Sequence, residues 1–353
     1  MKKTFADNYL PEMSVKKIFS HLQDDVSRQI FIWRYDYFVT RNEIKIGKAL
    51  DVFGSVNIFG DANIFENVNI FGAGALSQIY TIPFLEAKGS KINFVCDSNR
   101  HGQTICGYDI VTVDEMLKLN DNLPIILSTF SEHICNEIRQ ILLLRGVEAD
   151  SIIEPKSFMY DEQYFEEEIL KMQPDEIYVD AGCMDGDTIL RFREFNKDFG
   201  YKRIYGFEPD SRNHCKTKQS IEKYNLNNVI LTQKGLWDSA ETLRFCSNDI
   251  LGGSHITNDG ETTIETITLD SAIEKGDKVT LIKMDIEGAE LNALYGAKEI
   301  IKRDKPRLAI CVYHKPEDII NVASYILELN PDYKLYLRHY SPLPLVETVL
   351  YAI

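Results

Sequence analysis

The residues with the clearest chemistry lie in the segment 283–290, where Asp285 and Glu287 follow an apolar run typical of a strand. Three acids within six residues after such a run are costly unless they are solvated, paired or functional. Asp285 and Glu287 are two positions apart, so in an extended chain their side chains face the same way. His314 ends the next predicted strand, and a histidine can act as a general base or bind a metal. We predict a catalytic set of Asp285, Glu287 and His314, and no bound metal, with a weak divalent-cation site as the alternative.

A glycine turn supplies a second group of candidate residues. The run 176–180 is predicted to be a buried strand, Gly182 and Gly186 permit a tight turn, and a helix is predicted to follow. Strand, turn and helix N-terminus form a nucleotide-cofactor site of the doubly wound kind. The same turn carries three acids: Asp180, Asp185 and Asp187. Acids disfavour a pyrophosphate, whereas they suit a cofactor with ribose hydroxyls and a cationic part, such as S-adenosylmethionine.

Two further positions fit a nucleoside. Glu208 ends the strand 203–207, and a carboxylate at the carboxyl end of a parallel strand can accept hydrogen bonds from both ribose hydroxyls. Leu236 and Trp237 follow the third strand, and a flat apolar side chain there can pack on adenine. Core packing is the alternative for this pair.

The elements needed to position these residues alternate between strand and helix over residues 156–353. That alternation predicts an α/β domain with a parallel sheet and flanking helices. Within it we expect an antiparallel insertion over 242–268, one helix from 290 to about 303, and a closing hairpin over 333–351. Residues 160–171 are predicted to be helical.

The N-terminal part of the chain predicts two further regions. Residues 1–50 form a helical arm with apolar residues at helical spacing over 12–40, suited to packing on a neighbour, to substrate recognition or to dimerisation. Residues 51–155 predict a smaller Rossmann-like α/β domain, in which Gly72 and Gly74 follow a strand and Asp97 ends the next one.

Size and composition limit the classes of function. The 353 residues suggest about two domains, with 44% hydrophobic and 26% charged residues. The net charge of -15 disfavours a nucleic-acid partner. No apolar run is long enough to span a membrane, and the N-terminus carries no signal-peptide pattern. Seven scattered cysteines without a C-x-x-C pair suit the cytoplasm.

Three motifs, at 179–188, 206–209 and 283–290, closely resemble those of FkbM-type methyltransferases. The resemblance covers about 175–320. It implies a seven-stranded Rossmann-like methyltransferase sheet with a reversed last strand, and methyl transfer to a hydroxyl of a sugar, polyketide or related natural product. The implied cofactor contacts are Asp180, Gly182, Asp185, Asp187, Glu208, Leu236, Trp237 and Asp285, with Asp285 and Glu287 also at the acceptor.

The smaller domain has a resemblance of its own. Residues 94–110 look like the small N-terminal Rossmann-like domain of bacterial sugar acyltransferases. This implies a nucleotide, nucleotide-sugar or sugar near Gly72, Gly74 and Asp97. Ser77 stands where the dinucleotide fingerprint has its third glycine.

We therefore predict an S-adenosylmethionine-dependent O-methyltransferase that acts on a sugar, a nucleotide-sugar or a related small molecule. Methyl transfer would be an in-line displacement in which the protein supplies alignment, and a carboxylate or His314 takes the hydroxyl proton. Two alternatives stay open: an NAD(P)-dependent oxidoreductase using the N-terminal domain, and a non-catalytic carbohydrate-binding protein on the same scaffold. A homo-oligomer is compatible with the sequence.

Overall fold

The computed structural model describes residues 12–41, 66–74, 76–87, 89–118, 123–129, 132–154, 163–246, 255–257, 260, 262–341 and 345–353. These residues divide into two compact units. The larger unit takes the described residues of Met1–Arg41, Asp161–His339 and Leu345–Ile353, and the smaller one those of Asn42–Tyr160 and Tyr340–Pro344.

Two N-terminal helices, α1 (Glu12–His21) and α2 (Asp25–Thr40), belong to the larger unit. Asp24 caps α2 by accepting a hydrogen bond from the backbone N–H of Ser27 at 2.8 Å. Ile30 lies on the buried face of α2. The helical part of the predicted arm, 12–40, thus belongs to the same unit as the C-terminal strands, and residues 1–11 and 42–50 of the arm lie outside the described residues.

The smaller unit is built on one six-stranded sheet, in the order β3-β4-β2-β1-β5-β6. Its strands are β1 (Asn67–Phe71), β2 (Lys91–Cys96), β3 (Thr104–Ile105), β4 (Tyr108–Val111), β5 (Ile125–Leu127) and β6 (Ile152–Ile153). All neighbours pair in parallel except β3, which is antiparallel to β4. The helices are α3 (Ile82–Ala87), α4 (Val113–Lys118) and α5 (Glu132–Leu144), and a π-helical turn, Ser77–Thr81, precedes α3. The predicted smaller Rossmann-like α/β fold is confirmed.

The larger unit contains a seven-stranded sheet, which confirms the predicted fold class. Its strands are β7 (Glu176–Ala181), β8 (Tyr201–Phe207), β9 (Val229–Thr232), β14 (Leu281–Met284), β15 (Arg307–Cys311), β16 (Leu335–His339) and β17 (Thr348–Ala352). The order across the sheet is β16-β17-β15-β14-β7-β8-β9. The last strand, β17, pairs antiparallel with both of its neighbours, whereas the pairs from β15 to β9 are parallel. Because parallel strands end on one edge, the residues that follow β7, β8, β14 and β15 come together there.

Helices cover this sheet between its strands: α6 (Asp187–Phe195), α7 (Ser211–Lys223), α8 (Leu269–Ala272), α9 (Glu290–Tyr295), α10 (Lys298–Asp304) and α11 (Asp318–Leu329). The single helix predicted from residue 290 is wrong, because α9 ends before Gly296. A Cβ at Gly296 would lie 2.0 Å from the carbonyl oxygen of Trp237, so the chain passes close to this segment. The helix predicted over 160–171 is also wrong for the described residues, since 163–171 form turns.

Between β9 and β14 lies the insertion, a four-stranded sheet in the order β10-β13-β11-β12. It comprises β10 (Gly235–Leu236), β11 (Thr242–Cys246), β12 (His255–Ile256) and β13 (Thr262–Ile267). Strands β11 and β13 pair antiparallel, as predicted. Among the described parts of the chain, no helix is long and apolar enough to cross a membrane.

Candidate active site

The turn after β7 requires glycine at position 182. Gly182 has φ +77°, and a Cβ there would lie 2.0 Å from the carbonyl oxygen of Asp285. Its N–H donates to the carbonyl of Phe207 at 2.9 Å. The turn is therefore held between the ends of β8 and β14, so that the three segments meet without a side chain between them.

Asp180 lies below this turn, in the core. Its carboxylate is fully buried and forms an ion pair with Lys283, with Oδ1 and Nζ 3.0 Å apart. Lys283 also donates to the carbonyl of Gly182 at 2.8 Å, and Thr188 donates to Asp180. Buried charges need such partners. Asp180 thus braces β7 against β14, and it does not line the cavity described below.

The other two acids of the turn face solvent. Asp185 and Asp187 are exposed, and Asp185 accepts a hydrogen bond from the backbone N–H of Asp187 at 3.2 Å, at the start of α6. Neither lines the cavity. The assignment of Asp180, Asp185 and Asp187 as cofactor contacts stays a prediction that the arrangement of these side chains does not favour.

A cavity of about 590 Å³ opens along the carboxyl edge of the sheet. Five predicted site residues line it: Gly182, Glu208, Leu236, Asp285 and Glu287. The insertion adds three apolar residues to the wall, Phe245, Ile256 and Ile264.

Other elements add polar residues to the wall. Helix α7 contributes Arg212, Asn213 and Lys216. Tyr313 and Glu347 also line the cavity. The cavity wall therefore combines apolar, acidic and basic residues.

Glu208 is buried at the end of β8 and is held by the backbone. Its Oε2 accepts from the N–H of Met184 and its Oε1 from the N–H of Asp210, both at 2.9 Å. Burial raises the pKa of Glu208 to about 7; the charge of Asp210 adds to the rise, and the two backbone donors oppose it. The carboxyl group is thus fixed on the cavity wall. Its pKa lies near neutral pH, so it gains or loses a proton there.

Only one member of the pair predicted to contact adenine lies on the cavity wall. Leu236 is buried and lines the cavity next to Gly235. Trp237 does not line it. The backbone of Trp237 is used elsewhere: its N–H donates to the carbonyl of Ile267 at 3.1 Å, and its carbonyl lies against Gly296.

Asp285, Glu287 and His314 come together as the sequence predicted. His314 Nε2 lies 3.4 Å from Asp285 Oδ1 and 3.3 Å from Glu287 Oε2. Its other ring nitrogen, Nδ1, lies 2.9 Å from Oε1 of Glu290, which is fully buried. Oxygens of Asp285 and Glu290 and a ring nitrogen of His314 also lie within 4.8 Å of one another, a spacing that a metal ion could use.

Two tyrosines orient Asp285. The hydroxyl of Tyr164 donates to Asp285 Oδ2 at 2.6 Å, and that of Tyr313 donates to Oδ1 at 3.2 Å. Burial on its own would raise the pKa of Asp285, but the charges of His314 and Lys283 and the Tyr164 hydroxyl outweigh it and hold the pKa below its usual range. Asp285 is therefore an oriented carboxylate that holds a proton poorly.

The charge state of His314 differs from that of a free histidine. Burial alone would lower its pKa, but the carboxylates of Glu287, Glu290 and Asp285 outweigh burial and raise the pKa to about 11. A group that stays protonated at neutral pH is a poor general base. The prediction that a carboxylate takes the proton is thus favoured over the prediction that His314 does.

Sequence reasoning missed three members of this cluster. Glu290 belongs to the same acidic motif as Asp285, and its position at the start of α9 was a usable signal. Tyr164 comes from the segment predicted to be helical. Glu347, whose pKa burial raises to about 7, precedes β17 with φ +56°. No local pattern marks Tyr164 or Glu347 as neighbours of Asp285.

In the smaller unit, Asp97 is close to the glycine turn. Its Oδ2 accepts from the N–H of Ala73 at 2.9 Å, and its Oδ1 from the N–H of Asn99 at 2.8 Å. Gly72 has φ +111°, and a Cβ there would lie 2.9 Å from the carbonyl oxygen of Ser128, whereas Gly74 has open space. Asp97 thus ties the turn to the end of β2, and nucleotide or sugar binding by Gly72, Gly74 and Asp97 stays a prediction.

The order of the seven strands and the cavity at their carboxyl edge define the class of fold, a Rossmann-like α/β sheet with a ligand-sized cavity. A solved structure, methyltransferase FkbM from Methylobacillus flagellatus KT, superimposes with a TM-score of 0.52 at 19% sequence identity. The match covers 88% of this chain and 100% of that one. This likeness shows a shared fold.

Sequence comparison identifies the family. A family model described as Methyltransferase FkbM domain matches residues 180–340. The 2-O-methyltransferase NoeI of Sinorhizobium fredii (strain NBRC 101917 / NGR234) is 25% identical over 153 residues, 38% of this chain. The match spans 62% of NoeI, less than two thirds of its length. Residues 180–340 are therefore similar to the FkbM methyltransferase domain.

Proposed function

We propose that this protein is a methyltransferase that uses S-adenosylmethionine to methylate a hydroxyl of a sugar, a nucleotide-sugar or a related small molecule. The observation that carries the proposal is the cavity wall, which places Gly182, Glu208 and Leu236 together with Asp285 and Glu287. The first three suit a nucleoside and the last two suit a hydroxyl that must lose a proton.

The residues present fit the cofactor. Gly182 lines the cavity, so a ligand there can contact the backbone of the turn. Glu208 can accept hydrogen bonds from ribose hydroxyls, and the apolar Leu236 can pack on a base. When bound, S-adenosylmethionine supplies a methyl group activated by a sulfonium.

The acceptor hydroxyl would lie beside Glu287. This side chain is 33% exposed and lines the cavity, while Asp285 is committed to two tyrosine hydroxyls and His314. Glu287 would take the proton from the acceptor, and Asp285 would orient it. NoeI is a 2-O-methyltransferase, and this similarity favours a hydroxyl over an amine.

The proposed reaction takes place in the cytoplasm. All seven cysteines are free thiols in the structure, which favours a reducing compartment. Cys183 and Cys311 are buried close to the cavity residues, and burial raises the pKa of both thiols well above the usual value. They pack as small apolar residues.

Calorimetric titration with S-adenosylhomocysteine tests the cofactor assignment. We expect Glu208→Ala to weaken binding by roughly 30-fold, because hydrogen bonds to a charged group contribute about 2 kcal/mol. The matched control is Glu222→Ala, on the exposed side of α7. Equal affinity for wild type and Glu208→Ala would contradict the ribose assignment.

A further inference from the structure

Two buried side chains beside the cavity lack the hydrogen bonds that buried polar atoms need. The side chain of His314 is 9% exposed, and neither of its ring nitrogens forms a hydrogen bond to any residue that the structure describes. Glu290 is fully buried, and its Oε2 is likewise without a hydrogen bond in the described parts of the chain. Buried polar atoms are nearly always paired in native proteins. The two side chains therefore suit a partner that the protein itself does not supply.

These atoms lie close to a carboxylate of the cavity wall. An oxygen of Asp285, an oxygen of Glu290 and a ring nitrogen of His314 are all within 4.8 Å of one another. Ligand atoms that share one metal ion, each at about 2.1 Å from it, are roughly 3 to 4 Å apart. His314 Nε2 and Asp285 Oδ1, at 3.4 Å, already have this spacing.

We propose that Asp285, Glu290 and His314 bind one divalent transition-metal ion, Mn²⁺ or Zn²⁺, beside the cavity. Imidazole favours transition metals and carboxylates favour hard divalent cations, so one imidazole with two carboxylates suits these ions. The role of the ion in catalysis rests on the proposed function, whereas its binding can be measured without any reaction.

The fold holds the three ligands in place. Asp285 follows β14 and His314 follows β15, and these strands are parallel neighbours in the sheet. Glu290 begins α9, and its Oε1 accepts from the backbone N–H of Ile286 at 2.9 Å. That hydrogen bond fixes the carboxylate and leaves Oε2 for the ion. Ligands that are already ordered bind an ion without the entropy cost of immobilising loose side chains.

The charge around His314 also favours a cation. Asp285, Glu287 and Glu290 each approach a ring nitrogen to within 3.4 Å. Carboxylates that share a small volume repel one another unless positive charge lies between them. A metal-bound ring nitrogen must be deprotonated, so a bound ion replaces the ring proton and brings two positive charges where the proton brings one.

Asp285 can bind an ion although two tyrosines contact it. Tyr164 donates to Oδ2 at 2.6 Å and Tyr313 to Oδ1 at 3.2 Å. A carboxylate oxygen has two lone pairs, so each oxygen keeps one for another partner. Hydrogen bonds to a ligating carboxylate orient it towards its metal. The two tyrosines therefore support the site and do not block it.

The ion would act on a ligand through the side of the site that Asp285 presents to the cavity. Asp285 lines the cavity, whereas Glu290 and His314 do not. Three protein ligands leave a coordination position for a substrate oxygen, as in catalytic zinc sites. A hydroxyl bound there loses its proton more readily. Glu287, which also lines the cavity, would accept that proton.

Metal binding by the full chain tests the site. The protein is treated with a chelator, exchanged into metal-free buffer and titrated with Mn²⁺ and with Zn²⁺ by calorimetry, and the Mn²⁺ complex is examined by pulsed EPR. We expect one ion per chain and a nitrogen coupling that disappears in His314→Gln. Glu290→Gln, whose amide oxygen can still accept from Ile286, should weaken binding by at least about 10-fold to 100-fold. The matched control Glu222→Gln, exposed on α7, should bind as the wild type does.

A wild type that binds neither ion overturns the proposal, whatever the variants do. So does Mn²⁺ binding without a nitrogen coupling that depends on His314, or with equal affinity in a folded Glu290→Gln.

Methyl transfer gives a separate readout. We expect removal of the ion to lower the rate by at least about tenfold and Mn²⁺ to restore it. If the ion-free wild type methylates at the full rate, the metal proposal fails and the proposed function stands. If the ion binds as expected and no acceptor is methylated, the proposed function fails and the metal site stands.

Discussion

Glu208 shows how a single buried carboxylate can be placed for a ligand. Two backbone N–H groups fix its oxygens, and the end of β8 brings it to the cavity. Burial raises its pKa to about 7, far above that of an ordinary glutamate. The ligand-free side chain is therefore partly protonated at neutral pH, and a partner that donates hydrogen bonds favours the ionised form.

This raised pKa predicts a pH-dependent affinity. Below pH 7 the free protein binds a proton that ribose binding must displace, so affinity for S-adenosylhomocysteine should fall by about tenfold from pH 8 to pH 6. Affinity above pH 8 should be constant. In Glu208→Gln the dependence should vanish. Calorimetry at several pH values checks this, and an equal slope in wild type and variant would show that another group is responsible.

The sequence predicted the acids on the cavity wall because each directly follows an apolar strand. It could not show which acids face inward. Asp180 pairs with Lys283 because the two residues are register partners in β7 and β14, a fact that depends on strand order. Tyr164 reaches Asp285 from 121 positions away in sequence. Local patterns carry no information about such contacts.

Among the elements, the turn between β7 and α6 contributes Gly182 and Met184 to the cavity wall. It crosses the ends of β8 and β14, where Gly182 touches the backbone of Asp285. Strand positions were predictable from apolar runs to within a few residues. The break at Gly296 was not, since it depends on the approach of Trp237, and the turns at 163–171 arise because Gln163 and Tyr164 bond to distant residues.

A pair of glycine variants tests the turn. In Gly182→Ala the new Cβ meets a backbone oxygen at 2.0 Å, in addition to the cost of its positive φ. We expect a loss of about 3 kcal/mol or more in the free energy of unfolding, together with loss of ligand binding. Gly200→Ala, with φ +71° and open space, should lose only about 1 kcal/mol. Urea unfolding measures both, and equal losses would mean that the turn tolerates a side chain.

In the whole molecule, the N-terminal helices and the C-terminal strands form one unit although the smaller unit lies between them in the chain. The apolar spacing predicted the helices but not the surface they cover. That surface is set by residues more than 300 positions away: Ser27 accepts from the N–H of Leu337, and the buried Arg34 donates to Thr348.

Two isoleucines of α2 test this packing. Ile30 is 2% exposed and Ile32 is 56% exposed. We expect Ile30→Ala to destabilise the larger unit by about 2–4 kcal/mol because it leaves a cavity. Ile32→Ala should change stability by no more than about 0.5 kcal/mol. Thermal unfolding that gives the same change for both would show that α2 does not contribute to this core.

The most direct test of the account is transfer of an isotope-labelled methyl group from S-adenosylmethionine to a set of sugars and nucleotide-sugars, followed by mass spectrometry. We predict one labelled methyl on a hydroxyl of at least one acceptor, with Glu287→Gln strongly reduced and Glu222→Ala equal to the wild type. Label on an amine, or no label from a protein that responds to NAD(H) and not to S-adenosylhomocysteine, would contradict it.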